Sequence, residues 1–406
     1  MTAEADELFR ALQTPEGKRD PFPLYRRLRQ VAPVYREPES GLLRLFRWED
    51  CNRVFRSDRF GQGTPGGRLR LDPRFDGSST LQTMAENITA LDPPEHTRLR
   101  AIVQRAFIPP SIEKMRGYVA ALAGRLLDDL EGRGRFDVVA DYAARLPNTV
   151  ICEMLGVPRA DHELFDKWLA DQFRLVRPTP ASDELLADTD RSTSALEAYL
   201  EAIIAERRKA PRDDLISAII AAEDGGSRLT PRETVVMISL LLAGGSESTK
   251  GAIAMGVKNL LRHPDQLERL RADPGLDRTA VEELIRFEGP IDTANVRMSF
   301  DDAELSGVAV KAGEMVAPTV LAANRDPDKF HEPEALDLGR NPNPHLAFAV
   351  GPHMCLGVAL ARLEAGHAIG ALVRRFPSLR LEDETADVNL DLASLRGLNS
   401  LGVRLG

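Results

Sequence analysis

Cysteine is scarce in this chain. Cys51, Cys152 and Cys355 are the only three in 406 residues, and no C-x-x-C pair joins any of them. The spacing excludes a zinc ribbon and a thioredoxin-like site, and it argues against a disulfide framework. Lysine is also thin, at 8 of the 53 basic residues, and the rest are arginine. Against 62 acidic residues this leaves a net charge of −9 and a pI of about 5.5. The basic balance of a general nucleic-acid or anionic-membrane binder is therefore missing. So is any long hydrophobic run: the apolar stretch near Val235 to Gly245 is far too short to span a bilayer. The opening, Met1-Thr-Ala-Glu-Ala-Asp-Glu7, is acidic and lacks the basic start and apolar run of a signal peptide. A cytoplasmic protein that engages neither nucleic acid nor membrane is expected.

What is present is apolar material, 43% of the residues, enough for a large core. From about Pro94 onward helical periodicity dominates. Val150, Ile151, Met154 and Leu155 recur on one face, and Gly156 with Pro158 ends that pattern. Strand-like alternation is confined to Ala32–Tyr35 and Leu42–Phe46 near the start, and to Leu305–Ala317 and Leu398–Leu405 near the end. The strands of the two ends are expected to meet. Gly61 to Ser79, rich in Gly, Pro, Arg and Asp, reads as a long loop. Together these predict a mainly α fold with a small β region, as one domain over residues 1–406. Its β-rich parts lie at about 30–60, 300–320 and 385–406, and its helical core at about 94–290 and 356–376.

One helix stands apart. Thr230-Pro231-Arg232-Glu233 is a capping box with proline at the first helical position, and His263-Pro264 closes the pattern. The helix between them reaches about 48 Å at 1.5 Å per residue, long enough to cross the whole domain. Its middle reads Gly244-Gly245-Ser246-Glu247-Ser248-Thr249, a run of poor helix formers around an acid. An acid beside hydroxyls in a buried helix is costly without a use.

The second notable segment is Phe348-Ala-Val-Gly351-Pro-His353-Met-Cys355-Leu-Gly357. Glycine and proline impose an irregular loop, Gly357 permits close backbone approach, and a helix follows with Leu360 and Leu363 on one face. Cys355 thus sits at a helix amino terminus, where the dipole favours thiolate, a soft donor suited to iron. Cys51 and Cys152 lie in ordinary amphipathic patterns and read as small buried hydrophobes.

This loop, F-x-x-G-x-H-x-C-x-G, resembles the haem-ligand loop of the cytochrome P-450 superfamily. Glu283-Leu-Ile-Arg286 resembles its E-x-x-R helix, Gly244 to Thr249 its oxygen-activation segment, and Asp92-Pro-Pro-Glu-His96-Thr-Arg-Leu-Arg100 a stretch of its soluble bacterial members. The four occur in the family's order and cover essentially the whole chain. The resemblance implies the triangular P-450 fold, with haem b held through Cys355 as the metal ligand. Phe348, Gly357 and Gly244 would lie against the cofactor, and His96, Arg100, Arg297 and His353 would meet its propionates. Glu247, Ser248 and Thr249 would deliver protons during oxygen activation. Serine at 248, where the family has threonine, keeps the hydroxyl but loses the methyl that stiffens χ1. In the family the Glu283/Arg286 pair has a third member, an arginine, whose place here is Ala335. Backbone carbonyls are the expected substitute.

No four-cysteine run accompanies these motifs. The resemblance implies electrons from a ferredoxin and its NAD(P)H-dependent reductase, meeting a basic patch of Arg98, Arg105, Lys114, Arg116 and Arg362. A monomer is expected that uses O2 to oxygenate a small-to-medium hydrophobic substrate of secondary metabolism or catabolism. The pocket would be lined by Gly61 to Asn87, Leu241, Leu242, Gly245, Ile291 to Val296 and the loop near Leu395, with Asp292 and Thr293 offering an orienting hydrogen bond. The alternatives on the same site are a peroxide-driven oxygenase, an oxidative coupling enzyme and a non-catalytic haem-thiolate sensor. A cysteine hydrolase using His353 and Cys355 is disfavoured, because residues two apart before a helix are poorly placed to pair.

Overall fold

The computed structural model describes residues 3–63, 67–70, 72–107, 109–175, 181–222, 226–383, 386–391 and 394–405. Its contacts divide the chain into two compact units. One comprises Met1–Gly61, Ala120–Ala143 and Ser248–Gly406, and the other Gln62–Val119 and Ala144–Glu247.

The first unit holds the sheets. Val34–Arg36 pairs antiparallel with Leu43–Leu45, which runs parallel to Met315–Pro318 with Leu43 opposite Val316. Arg297–Ser299 and then Phe60–Gly61 complete a five-stranded sheet. The early and late strand segments therefore meet, as their sequences predict. Alternation in the pleat turns Arg297 and Ser299 to the buried side. Leu43, Leu45, Val54, Val316 and Val320 form the core beneath, with Cys51 among them. Smaller strand pairs join Arg135–Asp137, Gly402–Arg404 and Arg380–Leu381. The helices Asp277–Glu288 and Val358–Arg375 belong to this unit as well.

Helices also occupy the first ninety residues: Ala3–Leu12, Phe22–Val31, Trp48–Arg56 and Ser79–Glu86. These run 8 to 10 residues, about three turns at most, too short for periodicity to stand out. The stretch read as one long loop, Gly61 to Ser79, contains the helical turns Gly67–Arg70 and Phe75–Gly77; residues 64–66 and 71 of it lie outside the described ones.

The second unit is helical. Arg145–Leu155, His162–Phe173 and Asp183–Lys209 pack around Phe165, whose ring meets that of Tyr199 edge-on at 5.1 Å. Gly156 ends the first of these in the left-handed region, φ +73°, where a Cβ would run into Asp214. Buried Arg207 then takes the freed Gly156 carbonyl at 2.9 Å and the Asp214 carboxylate at 2.5 Å.

The long helix runs unbroken from Pro231 to Arg262, 32 residues. Its capping box is reciprocal: the Thr230 N–H donates to Glu233 Oε2 at 2.7 Å, and the Glu233 N–H to Thr230 Oγ1 at 3.2 Å. Among the described residues no helix is long and apolar enough to cross a membrane.

Candidate active site

The loop from Phe348 to Gly357 is closed on itself. The Cys355 N–H donates to the Phe348 carbonyl at 2.9 Å, and the Met354 N–H to Gly351 at 3.1 Å. Gly351 takes φ +77°, and a Cβ there would strike the Phe55 carbonyl. The close approach within the protein is thus at Gly351. At Gly357 a Cβ would meet no atom within 4 Å. Ala349 also takes a positive φ, +53°, at a cost of about 1–2 kcal/mol, a strain of the kind kept at functional sites. The following helix starts at Val358, so Cys355 stands three residues before its first turn rather than within it.

Of the three cysteines only Cys355 is half-buried; the others are buried. Burial pushes the Cys51 thiol well above its ordinary value and that of Cys152 up to about 12, so both stay protonated at neutral pH.

The helix Asp277–Glu288 fastens this loop with two adjacent acids. Glu282 takes Arg362 in a fork, Nε to Oε1 at 2.6 Å and Nη2 to Oε2 at 2.7 Å. It also pairs with His345 at 3.1 Å. Burial alone would raise the Glu282 carboxyl, but the hydrogen bonds from His345 and Arg362 hold it down at about 2. The Arg362 guanidinium lies 5.1 Å over the Phe348 ring, at the start of the thiol loop.

Glu283 holds the preceding segment. It and Arg286 are 0% exposed and paired at 2.7 and 2.8 Å. Arg286 also donates to the carbonyls of Asn324, Pro333 and Ala335, which are the backbone partners expected where Ala335 lacks a guanidinium. The structure adds a side chain that the motif does not contain. Arg340 Nε bonds both oxygens of Glu283 at 3.1 and 3.0 Å, supplying the second guanidinium five residues after Ala335.

The segment from Gly244 to Thr249 presents two different faces. Gly244 and Ser248 are four apart on one side of the helix, with Glu247 beside them, and none of the three is buried. A Cβ at Gly244 would meet nothing within 4 Å. Ser246 and Thr249 are buried, at 6% and 3% exposure, and turn into the packing.

The residues read as propionate partners are distributed over both units. His96, at 2% exposure, and half-buried Arg100 stand one turn apart on the helix Glu95–Ala106. Arg297, at 5%, lies on the buried face of its strand, and His353 is half-buried in the thiol loop. A guanidinium so buried is stable only beside an anion or several acceptors.

The sequence matches the family profile of Cytochrome P450 over residues 70–274 and 276–395. This chain belongs to the cytochrome P450 family. It is 33% identical to the polyketide biosynthesis cytochrome P450 PksS of Bacillus subtilis, over 96% of this chain and 98% of that protein. To the vitamin D(3) 25-hydroxylase of Pseudonocardia autotrophica it is 37% identical over 95% and 94%. The solved structure of P450BioI in complex with hexadec-9Z-enoic acid ligated acyl carrier protein superposes with a TM-score of 0.89 at 32% identity, covering 96% of this chain and 99% of that one. The protein is an oxidoreductase of the P450 monooxygenase type, and the cofactor of the family is haem b. Each unit by itself offers residues that fit that group: the first has one half-buried thiol in a strained, closed loop and the deeply buried Arg297, and the second has the deeply buried His96 and a Gly244 with open space beside it.

Two groups of residues singled out in the sequence have partners within this P450. The Asp292 carboxylate accepts the Tyr25 hydroxyl at 2.7 and 2.9 Å, and Thr293 Oγ1 accepts from Arg44 at 3.2 Å, so both groups are engaged within the protein. The segment they sit on is pinned by the bridges Ile291 to Leu395 and Thr293 to Thr319. In the basic patch, Arg98 pairs with Glu233, Arg116 with Glu113 and Arg362 with Glu282, and each partner cancels a charge. Glu282, His345 and Arg340 escaped the sequence reading. Glu282 carried one available signal, its place beside Glu283 on a face directed at the thiol loop.

Proposed function

We propose that this P450 inserts one oxygen atom of O2 into a small-to-medium hydrophobic substrate of secondary metabolism or catabolism. Electrons come from a ferredoxin and its NAD(P)H-dependent reductase. The observation that carries the reading is the half-buried Cys355 in its closed loop, set against two cysteines whose thiols burial keeps protonated. Haem b, when bound, supplies the redox chemistry. Cys355 holds it as thiolate, with Phe348 and Gly357 bounding the loop. As the family resemblance implies, His96, Arg100, Arg297 and His353 would meet its propionates, and Gly244 would leave room on the central helix. Glu247 and Ser248 move protons.

The substrate is recognised mainly by apolar contact. Asp292 and Thr293, the polar groups of the 291–296 segment, already accept hydrogen bonds from Tyr25 and Arg44. Relatives with lipid-like names support this: one is a vitamin D(3) 25-hydroxylase, and another is solved with a fatty acyl carrier protein. Retention of an acid and a hydroxyl favours the O2 route over a peroxide-driven one, because reducing O2 consumes two protons per turnover and the peroxide route consumes none net.

The test is reconstitution with ferredoxin, reductase and NADPH against hydrogen peroxide alone, over secosteroids, macrolactones and long-chain fatty acids. Product carrying one atom from isotopically labelled O2, formed only with the redox partners, is expected. Product formed only with peroxide overturns the electron route.

Ser248, on the less buried face with Gly244, is the hydroxyl that follows the acid; Thr249 is turned into the packing. Ser248→Ala is expected to uncouple the enzyme, with NADPH consumption continuing while product falls at least tenfold and hydrogen peroxide rises. Ser248→Thr keeps coupling, and Thr249→Ala does less damage than Ser248→Ala. The reverse order would place the relay one residue on.

A further inference from the structure

The middle of the central helix is intrinsically weak. Gly244 and Gly245 each favour the helix by about 1 kcal/mol less than alanine, and a mid-helix serine competes for backbone bonds. Something outside the helix must fix it. Gly245 lies against Ile151, and a Cβ there would stand 3.5 Å from Ile151 Cγ1. One residue on, the buried Ser246 hydroxyl donates to Asn148 Oδ1. Asn148 and Ile151 are three apart on the helix Arg145–Leu155, so one face supplies both an apolar and a polar point of attachment. The other end of the amide is also held: Asn148 Nδ2 donates to Asp166 Oδ1 at 2.7 Å, from the helix His162–Phe173. A carboxylate demands the NH2 edge, so Asp166 turns the carbonyl edge of Asn148 toward Ser246. Ser246 is thereby a donor to Asn148 rather than to the carbonyl one turn back in its own helix.

We propose that Asn148, oriented by Asp166, is a positioning residue that clamps Ser246 and so sets the rotation of the central helix at Glu247 and Ser248. The inference rests on the reading that those two residues deliver protons. Neighbouring residues are about 100° apart around a helix, so fixing Ser246 fixes where the next two point. A rotation of about 20° at a side-chain radius of about 6 Å moves a tip by about 2 Å. Misplacement of about 1 Å can cost on the order of a hundredfold in rate.

The test compares Asn148→Ala, Ser246→Ala, Asp166→Asn and Ser246→Thr as purified holoproteins, with Glu247→Gln and Ser248→Ala as controls. Amide hydrogen exchange over residues 243–249 reads the clamp. The solvent deuterium isotope effect on NADPH oxidation, reconstituted with ferredoxin and reductase, reads proton delivery. Expected are exchange at least tenfold faster and an isotope effect altered at least twofold in Asn148→Ala and Ser246→Ala. Asp166→Asn should give a smaller change, and Ser246→Thr wild-type values. Unchanged exchange in Asn148→Ala overturns the clamp. Faster exchange with an unchanged isotope effect overturns the positioning role and leaves only a structural brace. If Glu247→Gln and Ser248→Ala shift the isotope effect and Asn148→Ala does not, this inference alone fails. If those controls are also silent, the proton-delivery reading fails with it.

Discussion

Replacing Cys355 with histidine is expected to abolish the strongly red-shifted Soret band of the reduced carbon monoxide complex, while Cys51→Ala and Cys152→Ala retain it. The band depends on an anionic sulfur donor, which imidazole cannot replace. The three cysteines differ in their surroundings. Cys51 is 0% and Cys152 1% exposed, and both thiols are pushed up by burial. Deprotonating either would leave an uncompensated charge in the core. Cys355 instead stands half-buried in a loop shaped by two positive-φ residues and tied by its own N–H to Phe348. The alanine variants at 51 and 152 should lose packing and, at 51, the weak thiol hydrogen bond to the Leu45 carbonyl, about 1–2 kcal/mol, which a thermal melt reads. Haem content, measured alongside, separates loss of the thiolate from loss of the cofactor. A red-shifted band surviving in Cys355→His would overturn the assignment.

The second large effect is expected at the Glu283 network. Glu283 and Arg286 are 0% exposed, and removing one partner of a buried pair costs about 3–5 kcal/mol, because the other charge is left buried and uncompensated. Arg286→Ala and Glu283→Ala should therefore lower the urea midpoint sharply and yield protein that loses haem. Glu283→Ala strands two guanidiniums, since Arg340 bonds the same carboxylate. Arg286→Lys should not rescue, because a single ammonium cannot span Glu283 and three separate carbonyls in the way the planar fork does. Arg340→Ala should cost less, about 1–3 kcal/mol. Its side chain keeps 11% exposure, and Glu283 retains Arg286 and the Asp337 N–H. An Arg340→Ala variant as unstable as Arg286→Ala would mean that the motif pair is not the centre of the network.

The sequence by itself determined what local rules control. A capping box and a His-Pro stop placed the central helix at Pro231–Arg262, because both ends are written within a few residues of the break. Spacing of three put Glu283 and Arg286 together, since residues three apart share a helix face. The thiol loop was legible because glycine, proline and cysteine stand within ten residues of one another. Tertiary structure alone decided the long-range polar pairings. Asp292 meets Tyr25 from 267 residues away, Ser246 meets Asn148 from 98, Arg340 reaches Glu283 from 57, and Arg362 meets Glu282 from 80. None of these pairs carries a spacing rule. Among 53 basic and 62 acidic residues any of many could pair, and the choice falls to whichever side chains the packing of apolar faces leaves opposite one another in low dielectric. The same physics gave Asp292 a partner in Tyr25, and gave Glu283 a second guanidinium in Arg340.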